Sequence, residues 1–240
     1  MADRSPISWA IAARKLDIAR FLIFKGADVH SLSSKGWTPV FYLFGGLGSS
    51  KGSSKALDPP TEYLQLFAGS SFKDFDAQDR AGWTSMHRAA IHGTGEDIRA
   101  LSSFHASPFL KTKRLQWPAI FMAIYYSNLS TFKELAKIHP NYIQERDLRG
   151  WTALHVAAGA GNEEVISMIL RDGGDVHARA EATTYMVPEP LRYRDITPAD
   201  VAKDAGRESY LTYIRAVTAH DAQVEVVEDD GVKEMFWQAV

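Results

Sequence analysis

At 240 residues, with 45% hydrophobic and 23% charged residues and a formal net charge of −2, the chain has the composition of a globular protein rather than a disordered one. The near-zero charge gives no global pull toward nucleic acid or anionic membrane, and the absence of cysteine excludes disulfides, cysteine nucleophiles and thiolate metal sites. MADRSPISW at the start lacks the basic and apolar regions of a secretory signal, and the longest nearly unbroken apolar stretch, Trp117–Tyr126, falls short of the roughly 20 residues a spanning helix needs. An intracellular protein, cytoplasmic or nuclear, is expected.

The first segment, SPISWAIAARKLDIARFLIFKGADVH at 5–30, returns almost position for position within WTALHVAAGAGNEEVISMILRDGGDVH at 151–177. Ser5-Pro6 sets a hydroxyl N-cap before a proline at the first helical position, and Thr38-Pro39 and Thr197-Pro198 do the same. Anchoring each copy at Ser5, Thr38, Thr84, Trp117, Thr152 and Thr197 gives intervals of 33, 46, 33, 35 and 45 residues. In the second copy the Gly/Ser-rich run 45–60 has no apolar period and reads as an inserted loop.

Asp79-Arg80-Ala81-Gly82 and Asp147-Leu148-Arg149-Gly150 read as β-turns, and Gly26 and Gly173 as left-handed helix ends. The fourth copy, WPAIFMAIYYSNLSTFKEL, keeps the spacing without a cap threonine or the histidine three residues on. In the fifth, Leu154, Ala157 and Ala158, then Val165, Ile166, Ile169 and Leu170, place apolar stripes on two short helices. The insert EATTYMVPEPLRYR at 181–194 lengthens the turn before the last copy, and QVEVVEDDGVKEMFWQAV reads as a hairpin that either caps the stack or binds a partner.

A repeat near 33 residues that opens on a T-P-L-H-x-A-like turn and holds two helices resembles the ankyrin repeat. The resemblance implies an all-α solenoid of about six helix-turn-helix repeats with β-turn fingers, closing on the C-terminal β-hairpin. Residues 1–220 form one ankyrin-repeat domain, with the insert at 45–60 and a long finger at 178–195, and 221–240 an acidic hairpin or tail. His87 and His155 stand at the signature histidine, which in this family holds turns together by hydrogen bonds. His30 and His177 stand where the family often carries asparagine.

The resemblance also implies a partner protein bound on the concave face of finger tips and first helices. The position before each cap holds Trp37, Trp83, Gln116, Trp151 and Ile196; the tryptophans serve either as interface anchors or as finger scaffold. Tips carry bases without acids: Lys35, Arg80, Lys113, Arg114, Arg149, and Arg192, Tyr193, Arg194 in the long finger. That is either a basic ridge for an acidic or phosphorylated segment or a solvated edge. Deeper in the groove, Ile91, His92, Tyr125 and Tyr126 suggest a central anchor pocket.

No catalytic, metal or cofactor site is expected. His92 follows His87 by five residues, not the four that pair imidazoles on a helical face, and the glycine cluster 45–51 lacks the Gly-Lys-Ser/Thr order of a phosphate loop. The expected function is a non-enzymatic, monomeric protein-interaction module without a membrane or nucleic-acid partner. The alternative is a targeting or structural fragment of a larger multidomain regulatory protein.

Overall fold

Each copy folds into a pair of short helices because neither helix can bury its apolar stripe alone. The computed structural model describes residues 5–44, 58–181, 186–187, 191–192, 195–207 and 210–214. Five pairs follow in chain order: α1 (Pro6–Ala12) with α2 (Leu16–Phe24), α3 (Pro39–Leu43) with α4 (Pro60–Gly69), α5 (Ser85–His92) with α6 (Gly95–Ser103), α7 (Ala119–Tyr125) with α8 (Leu129–Ile138), and α9 (Ala153–Ala160) with α10 (Glu163–Arg171). The first helix of a further copy is α11 (Pro198–Asp204), and residues 210–214 are helical. First helices pack in one row and second helices in another. Among the described residues the structure is helical without a sheet; one antiparallel bridge pairs Ala180 with Ile196.

The helix starts follow the capping chemistry. Ser5 Oγ accepts from the Ser8 amide, Thr84 from the His87 amide and Thr197 from the Asp200 amide. Thr38 holds the N-cap position but its side chain makes no capping bond, so the start of α3 rests on Pro39. In the fourth copy the N-cap is Pro118, not Trp117. Thr84, Pro118 and Thr152 are therefore 34 residues apart in each step, and the uneven intervals of 33 and 35 disappear.

The predicted turns close as expected, the Gly82 amide donating to Asp79 O and the Gly150 amide to Asp147 O, both at 2.9 Å. Successive fingers are tied by single backbone bonds: Arg80 N to Lys35 O, Lys113 N to Ala81 O and Leu148 N to Leu115 O. Glycine occupies the left-handed corner at Gly36, Gly82 and Gly150, with φ of +78°, +83° and +76°. A Cβ at Gly82 would also stand 2.8 Å from the Lys113 nitrogen of the next finger. The fourth copy's turn is one residue longer, from Thr112 to Trp117, and Gln116 takes the left-handed corner at φ +56°.

The core is a continuous seam between the two rows, filled by Ile7, Ile11, Leu64, Phe67, Met86, Phe121, Phe132, Leu154, Val165 and Ile169. Burying each contributes about 1.5–3 kcal/mol. Ala89, Ala90, Ala157 and Ala158 are fully enclosed and let neighbouring helices approach. A smaller cluster of Trp151, Ala180, Val187, Leu191, Ile196 and Val201 fixes the start of the long finger. The hairpin expected at 221–240, most of the 45–60 insert and most of the 181–194 arm lie outside the described residues.

Candidate interaction groove

The signature histidines act as struts. His87 Nδ1 accepts from the Thr84 amide at 3.1 Å while Nε2 faces Trp117 O at 2.9 Å; His155 repeats this with the Thr152 amide at 3.2 Å and Ile196 O at 3.0 Å. A ring nitrogen facing a carbonyl must carry the proton, and one receiving an amide N–H must not, so both rings are neutral Nε2–H tautomers. Burial lowers both pKa values, His155 to about 4. Each strut fixes the base of the next finger.

At those bases stand four tryptophans rather than three, because the fourth copy contributes Trp117 and not Gln116. Two of their indoles link a finger to the next. Trp37 Nε1 donates to Asp79 Oδ2 at 3.0 Å, and Trp117 Nε1 to Asp147 Oδ2 at 2.8 Å. The other oxygen of each aspartate holds its own turn: Asp79 Oδ1 accepts from the Ala81 and Trp83 amides, and Asp147 Oδ1 from those of Arg149 and Trp151. Trp83 and Trp151 make no such link, since Thr112 and Ala180 occupy the place of the next aspartate. The buried Trp151 indole N–H accordingly has no hydrogen-bond partner.

Arg149 does not belong to an exposed ridge. Its guanidinium folds inward, donating through Nε and Nη2 to Asp147 Oδ2 at 2.9 and 2.7 Å and lying 3.7 Å over the Trp151 ring. Leu148 takes the solvent-exposed tip instead. Lys35, Arg80, Lys113, Arg114 and Arg192 are exposed, so the basic edge persists without Arg149.

Between the fingers and the first helices lies a largely apolar cavity of about 390 Å³. Trp83, Trp117 and Trp151 line it from the finger bases, Met122 and Val156 from the helical floor, and Tyr125 and Tyr126 from the end of α7. Both tyrosines are 52% exposed and meet edge to face at 5.2 Å. Among the described residues no carboxylate lines the cavity, and Met186 from the long finger closes one side, its sulfur 3.0 Å from Arg114 Nε.

Of the expected site residues, Trp83, Arg114, Tyr125, Arg149 and Trp151 meet at this cavity. Trp37 sits further along, with the Arg88 guanidinium 4.1 Å and the Lys35 ammonium 5.2 Å from its ring centre. Arg80 lines a separate, more polar cleft with His30, Asp79 and Lys113. His92 is exposed at the end of α5 and does not reach the cavity, nor does Gln116 at its turn corner. Arg192 donates to Val187 O at 3.0 Å, and Tyr193 and Arg194 lie outside the described residues. Trp117, Met122, Val156 and Met186 also line it and were not among the expected site residues. Met122 and Val156 follow the signature histidine position directly, the variable place that the repeat pattern itself marks.

The convex side differs in kind. Arg99 and Lys137 pair with Glu134 at 2.9 and 2.8 Å, and Lys133 with Glu164 at 3.2 Å, across a polar surface between second helices. Among the described residues, no helix is long and apolar enough to cross a membrane, and no three His, Asp or Glu side chains group as metal ligands.

Stacked helix pairs, cross-bonded fingers and an open groove define a helical-repeat scaffold. A family model of ankyrin repeats in three copies matches residues 96–180. The chain carries ankyrin repeats over these residues. It is similar to human transient receptor potential cation channel subfamily A member 1, at 29% identity over 71% of this chain and 15% of the channel. It is also similar to alpha-latrotoxin-Lg1a of Latrodectus geometricus, at 26% over 64% of this chain and 10% of the toxin. Ankyrin repeat and SOCS box protein 3 of Bos taurus is 25% identical over 69% of this chain and 30% of that protein. The chain thus spans less than a third of each relative's length. Ankyrin repeats are generally non-enzymatic modules of protein–protein interaction.

Proposed function

We propose that the chain is a six-copy, monomeric ankyrin module that binds a partner protein in its concave groove and catalyses nothing. It acts inside the cell, in cytoplasm or nucleus, on a protein segment of acidic character, with no membrane or nucleic-acid partner. The observation that carries this reading is the cavity under Trp83, Trp117 and Trp151. It is largely apolar, open at two half-exposed tyrosines and edged by finger-tip cations, with no lining acid among the described residues. Interface hot spots combine these residue types, because rigid aromatics supply contact area with few torsions to freeze.

Affinity capture with the intact chain, a Tyr125→Asp, Tyr126→Asp groove variant and an Arg99→Ala, Lys133→Ala convex variant tests the reading. A partner kept by the convex variant and lost by the groove variant supports it; retention by both moves the site elsewhere. A second reading, a targeting or structural segment working within a larger regulatory protein, is favoured by the small share of each relative that the chain spans. On that reading the isolated chain captures nothing.

A further inference from the structure

The groove floor is built from one residue per first helix, the fourth after each N-cap: Trp9, Tyr42, Arg88, Met122, Val156 and Val201. Arg88 is the one charged member of this row. It lies one helix away from Met122, in the copy before the aromatic cavity. Its guanidinium rests 4.1 Å over the Trp37 ring, which fixes the side chain's direction. Arg88 forms no ion pair among the described residues, and its buried Nε has no hydrogen-bond partner.

The nearby carboxylate does not neutralise it by contact. Burial lowers the Arg88 pKa and Asp79 opposes that through space, but the Asp79 oxygens are engaged by Trp37 Nε1 and the amides of Ala81 and Trp83. His92, one turn further along α5, has its pKa lowered by burial and by the Arg88 charge, so it adds no second cation at neutral pH. A half-buried guanidinium with free donor capacity beside an apolar cavity is complementary to a carboxylate carried by the same ligand that fills the cavity.

The spacing then follows from packing. Helices in contact lie about 8–10 Å apart, and an extended chain advances about 3.3 Å per residue. We propose that the groove recognises an extended segment with two anchors: an acidic side chain bound at Arg88, and about three residues away a large apolar side chain seated among Trp117, Met122, Tyr125 and Val156. This rests on the groove reading above and specifies its partner. Arg88 supplies the selectivity for the acid, and the cavity supplies most of the contact area.

The test pans the folded full chain against a random display library of extended peptides about 12 residues long. Selected peptides are synthesised with Glu or Gln at the acidic position and titrated against the chain, Arg88→Met, Arg88→Gln and Tyr125→Asp, Tyr126→Asp. Melting temperatures confirm that each variant is folded, and the second Arg88 substitution covers failure of the first. The expected winners carry Asp or Glu about three residues from Trp, Phe, Leu or Met. Replacing Glu by Gln weakens binding to the chain about tenfold, while the Arg88 variants bind both peptides equally. Winners without an acid, or Arg88 variants that weaken the Glu and Gln peptides alike, overturn the two-anchor proposal and leave the groove reading standing. No enrichment above the tyrosine variant overturns both.

Discussion

Trp117 and Trp151 occupy equivalent finger bases and are equally buried, yet their indole N–H groups meet opposite fates. Trp117 donates to Asp147 at 2.8 Å and Trp151 to nothing. Replacing either by Phe removes similar area, but only at Trp117 does it take a donor from a buried carboxylate, a loss of about 1–3 kcal/mol. Trp117→Phe is therefore expected to destabilise the chain by about 1–3 kcal/mol more than Trp151→Phe in urea unfolding; equal midpoint shifts would refute this account. The histidine struts give a second prediction at the same scale. Burial holds His155 near a pKa of about 4 against an ordinary 6.5, with Arg146 and Arg149 lowering it further and the Ile196 bond and Asp147 opposing. The unfolded chain thus binds more protons between those values. Stability is full above about pH 6.5 and falls as pH drops toward 4, by on the order of 3 kcal/mol from this residue. His87 acts in the same direction. A His155→Gln variant, unable to titrate, should show a shallower loss in urea midpoints from about pH 7 to about pH 4, and an unchanged slope would assign the acid sensitivity elsewhere.

The finger is the element that holds the groove's shape, and its aspartate does more in some copies than in others. Asp147 joins two turn amides, the Trp117 indole and a buried Arg149, whereas Asp79 serves two amides and an indole with no contacting cation. Asp147→Ala strands a buried guanidinium and should cost about 3–5 kcal/mol. Asp79→Ala should cost less, and chemical denaturation of the two variants compares them directly. Gln116 presents the opposite case, an exposed non-glycine residue at a left-handed corner. Gln116→Gly should raise stability by about 1 kcal/mol, the strain of such a conformation. The same corner explains what was legible in the chain and what was not. The turns at Asp79 and Asp147, the caps at Ser5, Thr84 and Thr197 and the apolar stripes of α9 and α10 were readable because local hydrogen bonding and periodicity dictate them. The fourth finger was misregistered by one residue because its extra residue and its Pro cap leave no local mark. Arg149 was misread as a tip for a different reason: its direction is set by Trp151 and Asp147, a tertiary contact that no spacing encodes.

At the scale of the molecule, each helix pair is stabilised mainly by its neighbours, so the ends should differ from the middle. The first pair shows why. Ile18 occupies in α2 the position that Val165 occupies in α10, yet Ile18 is 51% exposed and Val165 is fully buried by the copy before it. Phe21 and Phe24 are 57% and 82% exposed on the same helix, with Lys25 above both rings. The end pair therefore forgoes contact area that inner pairs gain on two sides, and at about 25 cal/mol per Å² even one side chain shifts the local balance by over 1 kcal/mol. The central pairs have in addition the His87 and His155 struts and the Trp117–Asp147 link. Native-state hydrogen exchange should accordingly show graded protection, with amides of α5, α7 and α9 exchanging slowest and those of α2 several-fold to orders of magnitude faster. A uniform exchange rate from α1 to α9 would mean that the stack opens only as one cooperative unit, and that the groove under Trp83, Trp117 and Trp151 draws its rigidity from the whole chain rather than from the copies that build it.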